Sequence, residues 1–104
     1  MVSWASFHIE KLKGGEIVKF RPKGNSMEPK IKSGQLVTVV PIPTTAQSTL
    51  SVGDIVLCTV SGKHHLHLIS AIRGDQFQIS NNQGWINGWT TAKQIYGKVV
   101  MIEP

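Results

Sequence analysis

Cysteine, acidic side chains and long apolar runs are all scarce in this chain of 104 residues, and each shortage removes a class of protein. One cysteine, Cys58, cannot close an intramolecular disulfide, so the fold is not a disulfide-stapled secreted scaffold, and this usage fits a reducing, cytoplasmic compartment. Cys58 lies in the apolar run "DIVLCTV", which reads as a core thiol rather than a nucleophile. No stretch approaches the roughly 18 apolar residues that a membrane-spanning helix needs. The opening "MVSWASFHIEKLKGG" lacks the basic-then-apolar order of a secretory signal. Internal repeats and low-complexity tracts are absent too, which removes solenoids and disordered tails.

Acidic residues number 6 against 11 Lys and Arg, a formal charge of +5. The excess is uneven: residues 1–34 hold seven basic and three acidic residues (+4), whereas residues 35–104 hold four and three (+1). The lysines of that first third (Lys11, Lys13, Lys19, Lys23, Lys30 and Lys32) are scattered, with no aromatic-rich RNA signature and no helix-turn-helix pattern beside them. A solvated basic surface is therefore favoured over a nucleic-acid footprint.

The length suits one domain over residues 1–104, with residues 1–15 as a partly helical extension and 16–104 as a β core. In "WASFHIEKL", Trp4, Phe7 and Leu12 have helical spacing, Ser3 stands as a candidate N-cap and Gly14-Gly15 as the stop. From residue 16 onward, "EIVKFRP", "QLVTVVP", "DIVLCTV", "HHLHLISAI", "QFQIS" and "QIYGKVVMI" are short runs rich in Val, Ile, Leu and Phe between Gly, Pro, Asn or Asp. Such runs without long helices between them predict a mostly β, mainly antiparallel sheet that curls on itself. "SGK" and "RGDQ" read as hairpin turns, and residues 41–54, polar with two prolines, as a surface loop.

Ser26 sits in "KGNSMEPKIKSG", at the N-terminal edge of a tight turn completed by Met27, Glu28 and Pro29. Two readings are open. The hydroxyl can cap the turn by accepting from a nearby backbone N–H; or it can be a nucleophile, since free N–H groups at such an edge have the geometry an oxyanion needs. A serine nucleophile requires a base, and "GKHHLHLISAI" supplies candidates. Strand alternation puts Lys63, His65 and His67 on one face with Ile69, and His64, Leu66 and Leu68 on the other. A neutral imidazole can take a hydroxyl proton near pH 7, whereas an exposed lysine is protonated. A metal site at His65 and His67 lacks a third ligand nearby, and an exposed strand end in which the histidines do nothing is the remaining alternative.

Taken in order, "GNSMEPKIKSGQLVTVVP", "LSVGDIVLCTV", "HLHLISAIRGDQFQISNN" and "QIYGKVVMIEP" resemble the S24/S26 serine peptidases, which include LexA-like autoprotease domains and type I signal peptidases. The resemblance covers roughly residues 16–103, and its most specific element is the Gly-x-Ser-Met-x-Pro box. It implies a coiled antiparallel β fold, Ser26 as nucleophile, and a general base at His67, where the family usually has lysine and some signal peptidases have histidine. His65 and Lys63 are alternative bases. The acidic residue of the histidine-type members is matched by Asn81 in "ISNNQG", with Asn82 beside it, and the N–H groups of Ser26 and Met27 would form the oxyanion site. The resemblance further implies a stand-alone serine endopeptidase core that binds a protein or peptide substrate as an extended strand, with no cofactor and no metal. The alternative is a catalytically inactive module of the same fold that binds a regulatory protein or forms a homodimer.

Overall fold

Short β-branched runs with a glycine at most of their ends fold here into one antiparallel sheet. The structure is a computed structural model and describes residues 3–42 and 50–104. Helix α1 (Ser6–Lys13) is followed by β1 (Val18–Phe20), β2 (Leu36–Pro41), β3 (Ile55–Val60), β4 (Lys63–Arg73), β5 (Gln76–Ser80), β6 (Ile86–Thr91) and β7 (Ile95–Glu103). The seven strands lie in the order β1-β2-β7-β3-β4-β5-β6, with β1 and β6 at the edges. This is the mostly β, antiparallel architecture expected from the runs. Most of the expected surface loop, residues 43–49, lies outside the described residues.

Both expected hairpin turns form. Ser61 and Gly62, each with positive φ, join β3 to β4, and Gly74-Asp75 join β4 to β5. Strand β4 serves two neighbours in succession: Lys63 to Leu68 pair with β3, and Leu68 to Arg73 pair with β5, with an irregularity between Ile69 and Ala71. Among the described residues the stretch from Lys63 to His67 therefore has a strand on one edge only.

Alternation along β3 and β4 feeds two apolar clusters. Leu57 and Leu66 join Val37, Val39 and the helix residues in one; Val56, Cys58 and Ile69 join Phe77 and Ile79 in the other. Helix α1 buries Ile9 and Leu12, with Ala5 at its cap, four and three residues apart on one face, against the first cluster. The spacing read from Trp4 and Phe7 had suggested a different inward face, but both are exposed, at 53% and 66%. Ser3 does not cap the helix; the cap position is Ala5, with no side-chain bond, and Ser3 instead pairs its hydroxyl with that of Ser6 at 3.0 Å. Gly97 in β7 makes room for this packing, because a Cβ there would stand 2.6 Å from Val39 Cγ1 and 3.0 Å from Leu12 Cδ1.

Candidate active site

The turn carrying Ser26 lies between β1 and β2 and is held from both sides. Inward, Met27 and Ile31 are buried in the first apolar cluster, so the turn is anchored at the residue immediately after the serine. Its own backbone closes through Glu28 N–H to Asn25 O (3.1 Å) and Ile31 N–H to Met27 O (3.1 Å), and the Glu28–Pro29 peptide is cis. Outward, the segment after β5 clamps it. Asn82 N–H donates to Ser26 O (2.9 Å), Asn82 Nδ2 to Glu28 O (2.9 Å) and Gln83 Nε2 to Asn25 O (3.0 Å). The half-buried carbonyls of Ser26 and Glu28 would each cost about 1–3 kcal/mol if they lost these donors, so the clamp holds the serine's turn in place.

Ser26 Oγ lies 3.1 Å from His67 Nε2. Behind the ring, His67 Nδ1 lies 2.6 Å from Asn87 Oδ1. An amide oxygen only accepts, so the proton on the ring belongs at Nδ1, and Nε2 is left with its lone pair toward the serine hydroxyl. Three elements distant in sequence thus converge: the turn after β1, strand β4 and strand β6. Burial holds the His67 pKa below the ordinary imidazole value, and the bond to Asn87 opposes this in part. The imidazole is therefore neutral near pH 7, the form able to accept a proton.

Of the other candidates, His65 stacks on His67 with ring centroids 4.9 Å apart, and burial, followed by the charges of His67, Lys63 and His64, lowers its own pKa. Among the described residues it makes no hydrogen bond to Ser26. Lys63 starts β4 four residues before His67, about 13 Å along an extended strand, and is exposed. His64 points elsewhere: its Nδ1 meets Thr59 Oγ1 at 2.8 Å, and that hydroxyl also meets Tyr96 OH at 2.8 Å. No group of three or more metal-ligating side chains is found among the described residues.

The amides expected behind the imidazole are elsewhere. Asn81 Oδ1 accepts from the N–H groups of Gln83 and Trp85, each at 2.9 Å, a turn that leads the chain into β6; Asn82 braces the serine turn as described. Asn87, which the sequence reading did not single out, takes the place assigned to them. It sits beside Gly88, whose φ of +142° and contact with Val60 Cγ1 (3.0 Å from a Cβ) suit glycine alone. The register of β6 against β5 shifts at the same point, between Ile79 and Ser80. That irregularity re-aims a strand side chain, the usual use of a bulge beside a site.

Ser26 and His67 open into a cleft of about 560 Å³ that runs toward α1 and β1. Among the described residues the N–H groups of Ser26 and Met27 donate to no protein acceptor. Cys58, although opposite His65 in the β3–β4 register, is fully buried with its thiol pKa pushed up to about 12 by desolvation, and is inert beside the hydroxyl. No helix among the described residues is long and apolar enough to cross a membrane.

Among curated proteins, no relative matches the chain. The Peptidase S24-like family matches residues 6–100, from the first turn of α1 to within β7, and the chain belongs to that family.

Proposed function

We propose that this chain is a serine endopeptidase core working through Ser26 and His67, with Asn87 as the residue that orients the base. The observation that carries the reading is the continuous path from Ser26 Oγ through His67 Nε2 and Nδ1 to Asn87 Oδ1, at 3.1 and 2.6 Å. It is the nucleophile, base and orienting group that acyl transfer requires.

In the forward step, Ser26 Oγ forms a bond to the scissile carbonyl carbon while its proton passes to His67 Nε2. The carbonyl oxygen becomes an oxyanion held by the unengaged N–H groups of Ser26 and Met27. Collapse of that intermediate breaks the C–N bond, and His67 returns its proton to the leaving amine. Water then adds to the acyl ester with His67 again taking the proton, and the ester breaks with the proton restored to Ser26. The charge that develops on His67 is met by an amide oxygen rather than a carboxylate, which stabilises imidazolium less and favours slow turnover. The substrate lies extended along the strandless edge of Lys63 to His67, adding as a strand beside the serine.

Labelling with a fluorophosphonate, read by intact mass from pH 5 to 9, tests the reading. One adduct is expected on the parent protein, none on Ser26→Ala, and at least a hundredfold slower labelling on His67→Ala. Equal labelling of parent and Ser26→Ala, or none on either, would leave the non-catalytic binding module as the better account.

A further inference from the structure

Two basic residues of the first third of the chain, Arg21 and Lys23, and the aromatic rings of Trp4, His8 and Phe20 meet at one place, the far wall of the cleft that starts at Ser26. His8 stacks on Phe20 (centroids 4.3 Å, planes 17° apart), and Trp4 packs against the same Phe20 ring at 6.0 Å. Trp4 is 53% exposed and lines the cleft, so an aromatic surface is open to it. Next to it, Arg21 and Lys23 follow Phe20 along the chain and also line the cleft; among the described residues no Asp or Glu does. Arg21 gives one donor to Gly34 O (2.7 Å), and a guanidinium has further N–H groups to offer. Among the described residues the one ion pair is Lys98 with Asp54, and neither Arg21 nor Lys23 is matched by a carboxylate there.

We infer that this cleft selects acidic peptides: an extended segment that seats an aromatic or large aliphatic side chain against Trp4, His8 and Phe20 and presents a carboxylate to Arg21 and Lys23. The inference rests on the peptidase reading for the direction of the bound chain, which runs from the free edge of β4 past Ser26. Its selectivity, however, comes from a wall on which no step of the chemistry depends. Aromatic packing of the seated side chain and desolvation within the cleft supply affinity, and the unmatched cations supply discrimination by sign. A basic peptide would bring like charge to the same rim.

Ser26→Ala protein, which binds without cutting, gives the direct test by fluorescence anisotropy with fluorescein-labelled octapeptides differing only at one acidic, neutral or basic position beside a phenylalanine. The acidic peptide should bind at least tenfold more tightly than the basic one at 50 mM salt, and the gap should narrow at 200 mM. Lys23→Glu should shrink or invert that preference. Trp4→Ala should weaken the phenylalanine peptides about fivefold or more while leaving the acid preference in place. Both positions are exposed, and circular dichroism establishes that the variants fold. Equal affinity for the three peptides, or binding of a single-stranded oligonucleotide of matching length as tight as that of the acidic peptide, would overturn the inference. Hydrolysis by the parent protein, measured separately, divides the two claims: acid-selective binding without cleavage overturns the peptidase reading alone, and cleavage without acid preference overturns this one alone.

Discussion

Asn87→Asp puts a charge where the structure places an amide 2.6 Å from His67 Nδ1, and its consequences can be worked out in sign and size. A carboxylate at that distance favours the imidazolium, and opposite charges this close move a titration by about 1–3 units. His67 is half-buried, so water screens part of the pair and the lower half of that range applies. Each unit is about 1.4 kcal/mol of extra preference for the protonated ring. The acid limb of the labelling profile should therefore move up by about one to two pH units, with a faster plateau because the imidazolium formed in the transition state is better held. The contribution of His67 to the dependence of stability on pH should shrink as well. In the parent protein burial lowers the His67 pKa, so the unfolded chain binds the proton more tightly, and stability falls as pH drops from about 6.5 through the folded value. His65 and His8, lowered chiefly by burial, add to that slope. In the variant the carboxylate raises the folded pKa toward the unfolded one, so the stability that His67 loses on acidification shrinks, by about 1.4 kcal/mol for each unit of upward shift. Titration of the His67 ring by NMR, with urea melts at pH 5.5 and 8, reads both effects. A His67 titration within about 0.3 units of the parent would refute the placement of Asn87 behind the ring.

Three further perturbations probe the supports of the site. Gly97→Ala drives a Cβ to 2.6 Å from Val39 Cγ1 and 2.8 Å from Val40 O, so overpacking of about 1–3 kcal/mol or more should appear as a lower urea midpoint; an unchanged midpoint would deny the close approach of β7 and β2. Asn82→Ala removes the bond to Glu28 O while its backbone still donates to Ser26 O, which should cost about 1 kcal/mol of stability and slow fluorophosphonate labelling several-fold without moving its pH profile. Cys58, with its thiol pKa pushed up to about 12 and no exposure, should resist iodoacetamide at pH 8 in native buffer and react fully in urea; fast native alkylation would contradict the packing of β3.

Where the sequence was legible and where it was not follows from which signals are local. Six of the seven strands carry runs of Val, Ile, Leu or Phe, and hydrophobic run length with glycine punctuation locates them to within a few residues. The seventh, β6, reads "INGWTT", and Asn-Gly inside it is the commonest hairpin-turn signal. Yet Asn87-Gly88 makes no turn: Gly88 adopts its positive φ to bend an edge strand around Val60, and Asn87 is left facing His67. The Trp, Ile and Thr around that dipeptide are the strand signal this stretch carries. Without that strand the residue has no place in the reading, and the resemblance matches the orienting position to Asn81, with Asn82 beside it, in the preceding turn. Those two are not idle, since Asn81 builds the turn that delivers β6 and Asn82 pins the serine's turn. The helix followed the same logic in reverse. Trp4 and Phe7 have the spacing and apolarity of a core stripe, but the buried face is Ala5, Ile9 and Leu12, because a short helix packed closely on β7 at Gly97 takes small and aliphatic side chains there. The larger rings are pushed outward, and one of them, Trp4, becomes part of the cleft wall rather than the core. Ser26 and His67, 41 residues apart in the chain, are legible because a boxed turn and a histidine-rich strand are each unusual on their own terms. Asn87 had no such local signature, and only the register of β6 against β5 brings it to the ring.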